Sequence, residues 1–319
     1  MLEKDSTQPK GLKLFMMTVR VYAFPASIIP ILYGSILAII LVPDLKFNFL
    51  NFIITLIGGV AIHVTTNLVN DIYDFKIGID KEDKEIGIPH GGSMVISKGL
   101  VGVKDMKILS VITTTIAISA GVYLYFVAGL WILYLSIFGL FSAIYYTASP
   151  IALKYKALGD IQVFISFGTG MTLGSYIVQT HEFSWIPVIL SIPLGFLIDA
   201  ILHSNNIRDI KFDRTFGVKT LPILIGEQLS KYVYYFLIIG AYVSIIFFVA
   251  FKLLPWPALL NLITLPTAFK LIRMLKDIPQ GNMERFEFGT KHNLMTAQFN
   301  MQFGLMLTLG LLISVLFLH

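Results

Sequence analysis

The stretch that decides the fold runs from Phe52 to Asp80 and reads "FIITLIGGVAIHVTTNLVNDIYDFKIGID". Its first half is continuously apolar, and its second half carries two asparagines and three aspartates. Carboxylates are costly in or near a bilayer. Acidic residues at the end of an apolar segment therefore indicate chemistry at the membrane surface rather than a purely structural role.

The composition is that of an integral membrane protein. Of the 319 residues, 56% are hydrophobic and 13% are charged, and the mean hydropathy is +0.78. Continuous apolar segments of about 20 residues, long enough to cross the hydrocarbon layer as helices, favour an all-α bundle over a β-barrel. We predict nine membrane spans in this polytopic bundle, at about 21–42, 49–69, 107–127, 129–147, 160–180, 184–203, 231–251, 256–275 and 294–318.

The distribution of basic residues predicts the orientation. With the N-terminus placed in the cytoplasm, 22 of the 24 Lys and Arg residues lie on that side, and the outside loops hold Lys46 and Lys252. Cytoplasmic loops of membrane proteins are enriched in basic residues. We therefore expect a multi-pass protein of the cell (plasma) membrane with its C-terminus outside. The net charge of +5 reflects this topology, so the expected partner is the lipid bilayer and no nucleic acid.

Two further features limit the interpretation. The chain has no cysteine, which excludes disulfides, thiolate metal sites and cysteine nucleophiles. It lacks the features of a cleavable signal peptide, and its longest polar segment, about 70–106, is too short for a soluble domain. We predict one membrane domain over residues 1–319, with a flexible tail at 1–13.

The first acidic motif forms one stripe on a helix. Its polar residues are separated by three or four positions, or are adjacent, so they share a face: Asn67, Asn70, Asp71 and Asp74. Asp80 follows just beyond Gly78, which we interpret as a helix stop.

A second acidic motif, "SNNIRDIKFDRTFGVKT", runs from Ser204 to Thr220 after the sixth predicted span. Asn206, Asp209 and Asp213 again share one helical face. Both motifs follow even-numbered spans, so both are expected on the cytoplasmic side, facing each other across one cavity.

Opposed carboxylate stripes suit Mg²⁺, which binds through one or two carboxylates plus the phosphates of a substrate. We therefore predict Mg²⁺ as cofactor, with the following ligands: Asn70, Asp71, Asp74, Asp80, Asn206, Asp209 and Asp213. A diphosphate would bridge the ions and contact nearby basic side chains. Two alternatives remain: solvated carboxylates at exposed helix ends, and the ion pathway of a cation-coupled transporter. The transporter is disfavoured because its acids are typically near the bilayer midplane.

At these motifs the chain resembles the UbiA superfamily of intramembrane prenyltransferases, which have an NDxxDxxxD-type first motif, a DxxxD second motif and nine helices. The likeness covers nearly the full length, although the fourth acid of the first motif falls at Asp80 instead of position 78. It implies transfer of a polyprenyl group from a polyprenyl diphosphate to an aromatic acid. Catalysis is then expected at Asp71, Asp74, Asp209 and Asp213.

Several segments resemble the 1,4-dihydroxy-2-naphthoate branch of that family. They are "RVYAFPASIIPILYGS", "GIDKED", "YTASPIALKYKALGD" and "NNIRDIKFDRTFGVKTLPILIGE". This branch implies loss of the acceptor's carboxylate as CO₂ in menaquinone biosynthesis. Other acceptors stay open, namely 4-hydroxybenzoate, homogentisate or a related phenol.

The resemblance also suggests supporting residues. For the diphosphate these are Asn67, Lys154, Lys156, Lys219 and Arg208, with Lys156 aligning better than Lys154. For the aromatic substrate they are Arg20, Tyr146 and Ser93. Ordinary anchoring at the membrane interface is the alternative for each of the lysines and for Arg20. Asp199 and His203 lie inside the sixth predicted span, and the sequence leaves their roles and the prenyl chain length open.

Overall fold

The chain folds almost entirely into helices. The computed structural model describes residues 9–79 and 92–317, and within them no β-strand occurs. The α-helices are α1 (Gly11–Val19), α2 (Pro25–Leu41), α3 (Phe49–Ile77), α4 (Val103–Ala128), α5 (Leu130–Tyr145), α6 (Gly159–Val163), α7 (Met171–Thr180), α8 (Trp185–Leu190), α9 (Ile192–Asp213), α10 (Leu221–Ile225), α11 (Glu227–Ala250), α12 (Leu265–Met274) and α13 (Asn282–Phe317). A π-helical segment, Phe164–Gly170, joins α6 to α7, and the 3-10 segment Trp256–Thr264 precedes α12.

Seven helical runs in the described residues are long and apolar enough to cross a membrane. They are Val21–Leu41, Phe49–Ile77, Val103–Ala128, Gly159–Thr180, Glu227–Ala250, Trp256–Asp277 and Asn282–Phe317. The all-α membrane architecture is thus as the sequence predicts, and seven of the nine predicted spans coincide with such a run.

The other two predicted spans differ in instructive ways. The span at 129–147 corresponds to α5, which is apolar but only 16 residues long. The span at 184–203 divides at Ser191 into α8 and α9, with Pro193 in the first turn of α9, where its missing N–H costs nothing. The helix α9 then continues to Asp213 and carries the charged second motif.

The length of α3 explains how the first motif reaches the membrane surface. Its 29 residues span about 43 Å at 1.5 Å per residue, well beyond the hydrocarbon thickness of about 30 Å. The helix ends at Gly78, whose φ of 88° is left-handed, and this confirms the predicted helix stop. Asp71 and Asp74 therefore stay in regular helix near its end.

Close contacts between helix backbones hold the bundle together. A Cβ on Gly34 of α2 would overlap the Thr172 carbonyl of α7, and one on Gly310 of α13 would overlap the Pro257 carbonyl. Small residues allow membrane helices to approach this closely. Fully buried Tyr33 and Phe299 belong to one apolar cluster that joins α2, α7, α9, α11 and α13.

Candidate active site

The first acidic motif lies in the last turns of α3, and its side chains are buried. Asp71 is 1% exposed and Asp74 is 0% exposed. Asn67 and Asn70, on the same stripe, are buried as well. A buried carboxylate needs a charged or hydrogen-bonding partner, and the structure supplies a different one for each.

Asp71 is held by residues from two other segments. Arg20, which follows α1, donates from Nη2 to Asp71 Oδ1. Ser93 donates its backbone N–H to Oδ1 at 3.3 Å and its hydroxyl to Oδ2. Gly92 is required beside this pair because a Cβ there would overlap both Arg20 and Asp71. Arg20 and Ser93, assigned above to the aromatic substrate, thus contact the first motif directly.

Asp74 is held by the segment that follows α5. Lys154 Nζ lies 2.7 Å from Asp74 Oδ2 and 2.9 Å from Asn70 Oδ1. The Tyr155 hydroxyl donates to Asp74 Oδ1 at 2.6 Å. Of the lysines in this loop, Lys154 is therefore the one that contacts the first motif.

Lys156 and Lys219 are placed differently. Both are exposed, and Lys156 Nζ donates to the Pro150 carbonyl at 3.3 Å. Their backbones form a parallel bridge, in which the Lys219 N–H donates to the Tyr155 carbonyl at 3.3 Å. These two lysines consequently join the loop after α5 to the loop after α9, while their side chains lie at the protein surface.

The second motif occupies the end of α9. Arg208 donates from Nε and Nη2 to the two oxygens of Asp209, at 2.6 and 2.7 Å. The guanidinium carbon lies 5.3 Å from the centre of the Phe286 ring, and a Cβ on Gly289 would clash with the Arg208 side chain. Helix α13 thus holds Arg208 in place. Asn206 is buried on the same helix.

The two motifs meet at one end of the bundle. Asp213 lies close enough to Asp74 and Lys154, as well as to Asp209, for their charges to affect its ionisation. Next to them, Ile79 after α3 and Phe212 of α9 pack with Val218 in one small apolar cluster. The acidic ends of α3 and α9 therefore face a common space.

Negative charge is in excess at this meeting point. Burial, together with the nearby carboxylates of Asp209 and Asp74, raises the pKa of Asp213 to about 7. Asp213 is the last residue of α9 and lies ten positions beyond the predicted span. A divalent cation between the motifs would relieve this repulsion.

The donor set suits Mg²⁺. Carboxylate and amide oxygens are hard ligands, and Mg²⁺ needs only one or two carboxylates when a phosphate completes its shell. Within the described residues, no three Asp, Glu, His or Cys side chains are gathered as a ready metal site. Three of the carboxylates instead pair with Arg20, Lys154 and Arg208. Each of these three carboxylates is thus neutralised by a neighbouring cation.

An apolar cavity of about 340 Å³ lies in the bundle, between α3, α4, α5 and the run 159–180. Thr66 and Ala143 line it, and along their helices they are within one turn of Asn67 and Tyr146. On α5 the lining extends from Ile132 to Ala143, which is about 16 Å at 1.5 Å per residue. The cavity can hold an extended apolar chain.

Tyr146 lies between the polar site and the interior. It is buried and lies among the charges of Asp160, Asp74 and Arg20. Sequence reasoning missed Tyr155 and Gly92, whose roles depend on tertiary contacts, although both neighbour residues that it did single out. Asp80, the predicted fourth acid of the first motif, lies outside the described residues.

Comparison with known proteins gives a consistent picture. A model described as the UbiA prenyltransferase family matches residues 27–295. The 1,4-dihydroxy-2-naphthoate octaprenyltransferase of Bacillus subtilis (strain 168) is 32% identical, over 95% of this chain and 93% of that protein. The UbiA prenyltransferase domain-containing protein 1 of Xenopus tropicalis is 30% identical, over 94% of this chain and 82% of that protein.

Solved structures share the fold. A UbiA homolog from Aeropyrum pernix K1 matches with a TM-score of 0.68 at 17% identity, over 93% of this chain and 98% of that one. A UbiA homolog from Archaeoglobus fulgidus bound to GPP and Mg²⁺ matches with a TM-score of 0.59 at 14% identity, over 92% of this chain and 99% of that one.

Proposed function

Because the chain belongs to the UbiA prenyltransferase family, we propose that it transfers a polyprenyl group from a polyprenyl diphosphate to an aromatic acceptor. The proposed acceptor is 1,4-dihydroxy-2-naphthoate, prenylated with loss of CO₂ in menaquinone biosynthesis. The observation that carries the proposal is the convergence of two carboxylate motifs and their basic partners at one end of a bundle that also encloses an apolar cavity.

The diphosphate is assigned to the space between α3 and α9. Asp71 and Asp74 on one side, with Asp209 and Asp213 on the other, would hold Mg²⁺, helped by Asn70, Asn206 and Asp80. When bound, Mg²⁺ supplies the positive charge that stabilises the leaving diphosphate as the carbon–oxygen bond breaks.

When the diphosphate binds, the basic residues would exchange their carboxylate partners for phosphate oxygens. Lys154 and Arg208 already lie at the carboxylates, so short side-chain movements would bring them onto phosphate oxygens. Arginine can bind phosphate through two parallel hydrogen bonds, and lysine acts as a point charge. Asn67, whose Nδ2 is buried without a hydrogen-bond partner among the described residues, is a further donor for the diphosphate.

The prenyl chain is assigned to the apolar cavity. Its lining by α3, α4 and α5 places apolar side chains around the first isoprene units. Exclusion of water there protects an allylic cation from hydrolysis until the ring attacks it. Tyr146, near Asp74 and Arg20, and Ser93, which donates to Asp71, are the residues assigned, with Arg20, to the aromatic acceptor.

The acceptor assignment rests on relatives and on one local feature. The Bacillus subtilis relative bears the name of a 1,4-dihydroxy-2-naphthoate octaprenyltransferase. The loop after the first motif, "IGIPHGGSMVISKGLV", contains no arginine, unlike the arginine-rich segment typical of the 4-hydroxybenzoate branch. Homogentisate and other phenols are the competing acceptors.

The membrane topology is proposed from the helices and from the distribution of basic residues. We assign nine membrane spans in one domain over residues 1–319, counting α5 and the apolar part of α8–α9 with the seven long runs. The basic residues place the N-terminus in the cytoplasm, the C-terminus outside the plasma membrane and the active site at the cytoplasmic face.

One assay tests the proposal. Purified protein in detergent is incubated with Mg²⁺, a labelled polyprenyl diphosphate and, separately, each candidate acceptor. We expect a prenylated, decarboxylated product from 1,4-dihydroxy-2-naphthoate. Product from another phenol alone would identify that phenol as the acceptor. Cation-driven uptake in proteoliposomes with no new carbon–carbon bond would show that the protein is a transporter and not an enzyme.

A further inference from the structure

A second polar cluster lies deeper in the bundle, where α6, α9 and α11 meet. His203 of α9 contacts Asp160 of α6 through Nδ1 at 2.8 Å and the Ser230 carbonyl through Nε2 at 3.0 Å. All of these groups are buried. Nothing in the metal and diphosphate chemistry above requires them.

The contacts of His203 fix its hydrogens. A carbonyl oxygen only accepts, so Nε2 must carry the hydrogen that it donates to Ser230. The short contact between Nδ1 and Asp160 then requires a second hydrogen, on the imidazole or on the carboxyl group. The Asp160–His203 pair therefore holds a proton inside the protein.

Asp199, one turn before His203, is the unsatisfied member of this cluster. It is 8% exposed, and its Oδ1 is buried without a hydrogen-bond partner in the described part of the chain. Leaving a buried carboxyl oxygen unpaired is expensive, and such groups in folded proteins call for a specific explanation. A hydroxyl donor on a bound molecule would satisfy it.

The position of Asp199 relates it to the proposed active site. Asp199 and Asn206 are seven residues apart on α9, so they share a face and are separated by about 10 Å along the axis. Tyr146 lies close enough to Asp160 and Asp199, and also to Asp74 and Arg20, to interact with their charges. Tyr146 is therefore near both Asp199 and the first motif.

We propose that Asp199 binds a ring hydroxyl of the aromatic acceptor and accepts its proton as the new carbon–carbon bond forms. The inference rests on the proposed function.

The step balances without an external acid or base. The O–H bond breaks and its proton moves to Asp199, while the ring carbon bonds to the prenyl C1 and the diphosphate leaves with the C–O electron pair. The ring oxygen becomes a carbonyl. Loss of CO₂ from the same carbon then returns an electron pair to the ring, and the oxygen takes the proton back from Asp199. A proton that is returned needs no path to water, which suits a buried group.

The test compares Asp199→Asn with wild type and with Asp277→Asn, an exposed acid outside every contact described here. We expect Asp199→Asn to lower kcat/KM for the acceptor about 100-fold or more and to leave the affinity for prenyl diphosphate with Mg²⁺ unchanged. An Asp209→Asn variant should show the opposite pattern, with diphosphate affinity lost. Acceptor kinetics of Asp199→Asn equal to those of wild type would overturn the inference.

A second measurement does not depend on the variant folding. The wild type is assayed with acceptors in which each ring hydroxyl in turn is replaced by a methoxy group. We expect one methoxy acceptor to lose activity in the wild type, and Asp199→Asn to lose nothing further with it. Full activity with both methoxy acceptors would overturn the inference. If the wild type prenylates no acceptor at all, the proposed function itself fails.

Discussion

Lys154 Nζ lies 2.7 Å from Asp74 Oδ2, across 80 residues of sequence and from a different loop. The contact joins the acidic end of α3 to the loop after α5. It also places a cation beside a fully buried carboxylate, which is where a diphosphate and its metal ion are proposed to bind.

Removal of one carboxylate from either motif should abolish turnover. Asp71→Ala and Asp209→Ala each lose a metal ligand on one side of the site, so we expect prenyl transfer to fall by about 100-fold or more. Turnover is measured with saturating Mg²⁺, and thermal melting in detergent checks that the bundle is folded. The surface variant Asp277→Asn should stay within about twofold of wild type. Near-full activity in either alanine variant would refute the metal assignment.

Alanine substitutions of the two lysines after α5 should differ clearly in their effect on activity. Lys154→Ala removes the cation at Asp74, and we expect kcat/KM for the prenyl diphosphate to fall about 100-fold. Lys156→Ala removes an exposed side chain that donates to the Pro150 carbonyl, so its effect should be much smaller. The same steady-state assay measures both. A larger loss in Lys156→Ala than in Lys154→Ala would instead support Lys156 as the diphosphate-binding lysine, as the family resemblance favours.

The cavity should limit the prenyl chain. Gly139 of α5 lines it, and a Cβ there would meet no atom within 4 Å, so the first side-chain atom of Gly139→Trp fits and the ring would occupy cavity space. We expect turnover with octaprenyl diphosphate to fall about tenfold and turnover with geranyl diphosphate to fall less. Phe141→Trp, on the lipid-facing side of the same helix, is the matched control. Equal losses for both chain lengths would argue against this location for the chain.

Binding of Mg²⁺ with pyrophosphate should stabilise the folded protein. A ligand that binds only the native state raises the melting temperature, and the shift grows with the logarithm of the ligand concentration above its Kd. We expect a shift when both are added, a smaller one with either alone, and its removal by EDTA. The shift should disappear in Asp209→Asn but persist in Asp277→Asn. A shift that Asp209→Asn retains would place the ions elsewhere.

The sequence predicts the architecture because lipid imposes strong rules. Continuous apolar segments have few alternatives to helices, and the spacing of Asp71 and Asp74 fixes them on one face. The glycine stop at Gly78 follows from its freedom to adopt positive φ. The break between α8 and α9 at Ser191 is harder to predict, since the apolar pattern continues through it without interruption.

Partners across the fold could not be predicted in the same way. The choice of Lys154 over Lys156 depends on how the loop after α5 turns back onto α3. The pairing of His203 with Asp160, separated by 43 residues, leaves no periodic signal. Even-numbered spans explain why α3 and α9 present their acids on one side, but only packing brings Asp213 next to Asp74.

The central claim is that both motifs bind one diphosphate through Mg²⁺. The most direct test is an experimental structure of the protein with Mg²⁺ and a non-ionising thiolo analogue of the prenyl diphosphate. We predict carboxylate oxygens of both α3 and α9 at the usual Mg²⁺ ligand distance of about 2.1 Å, with the ions bridged by one diphosphate. Ions bound by one motif alone, with the other still paired to its own arginine or lysine, would contradict the account.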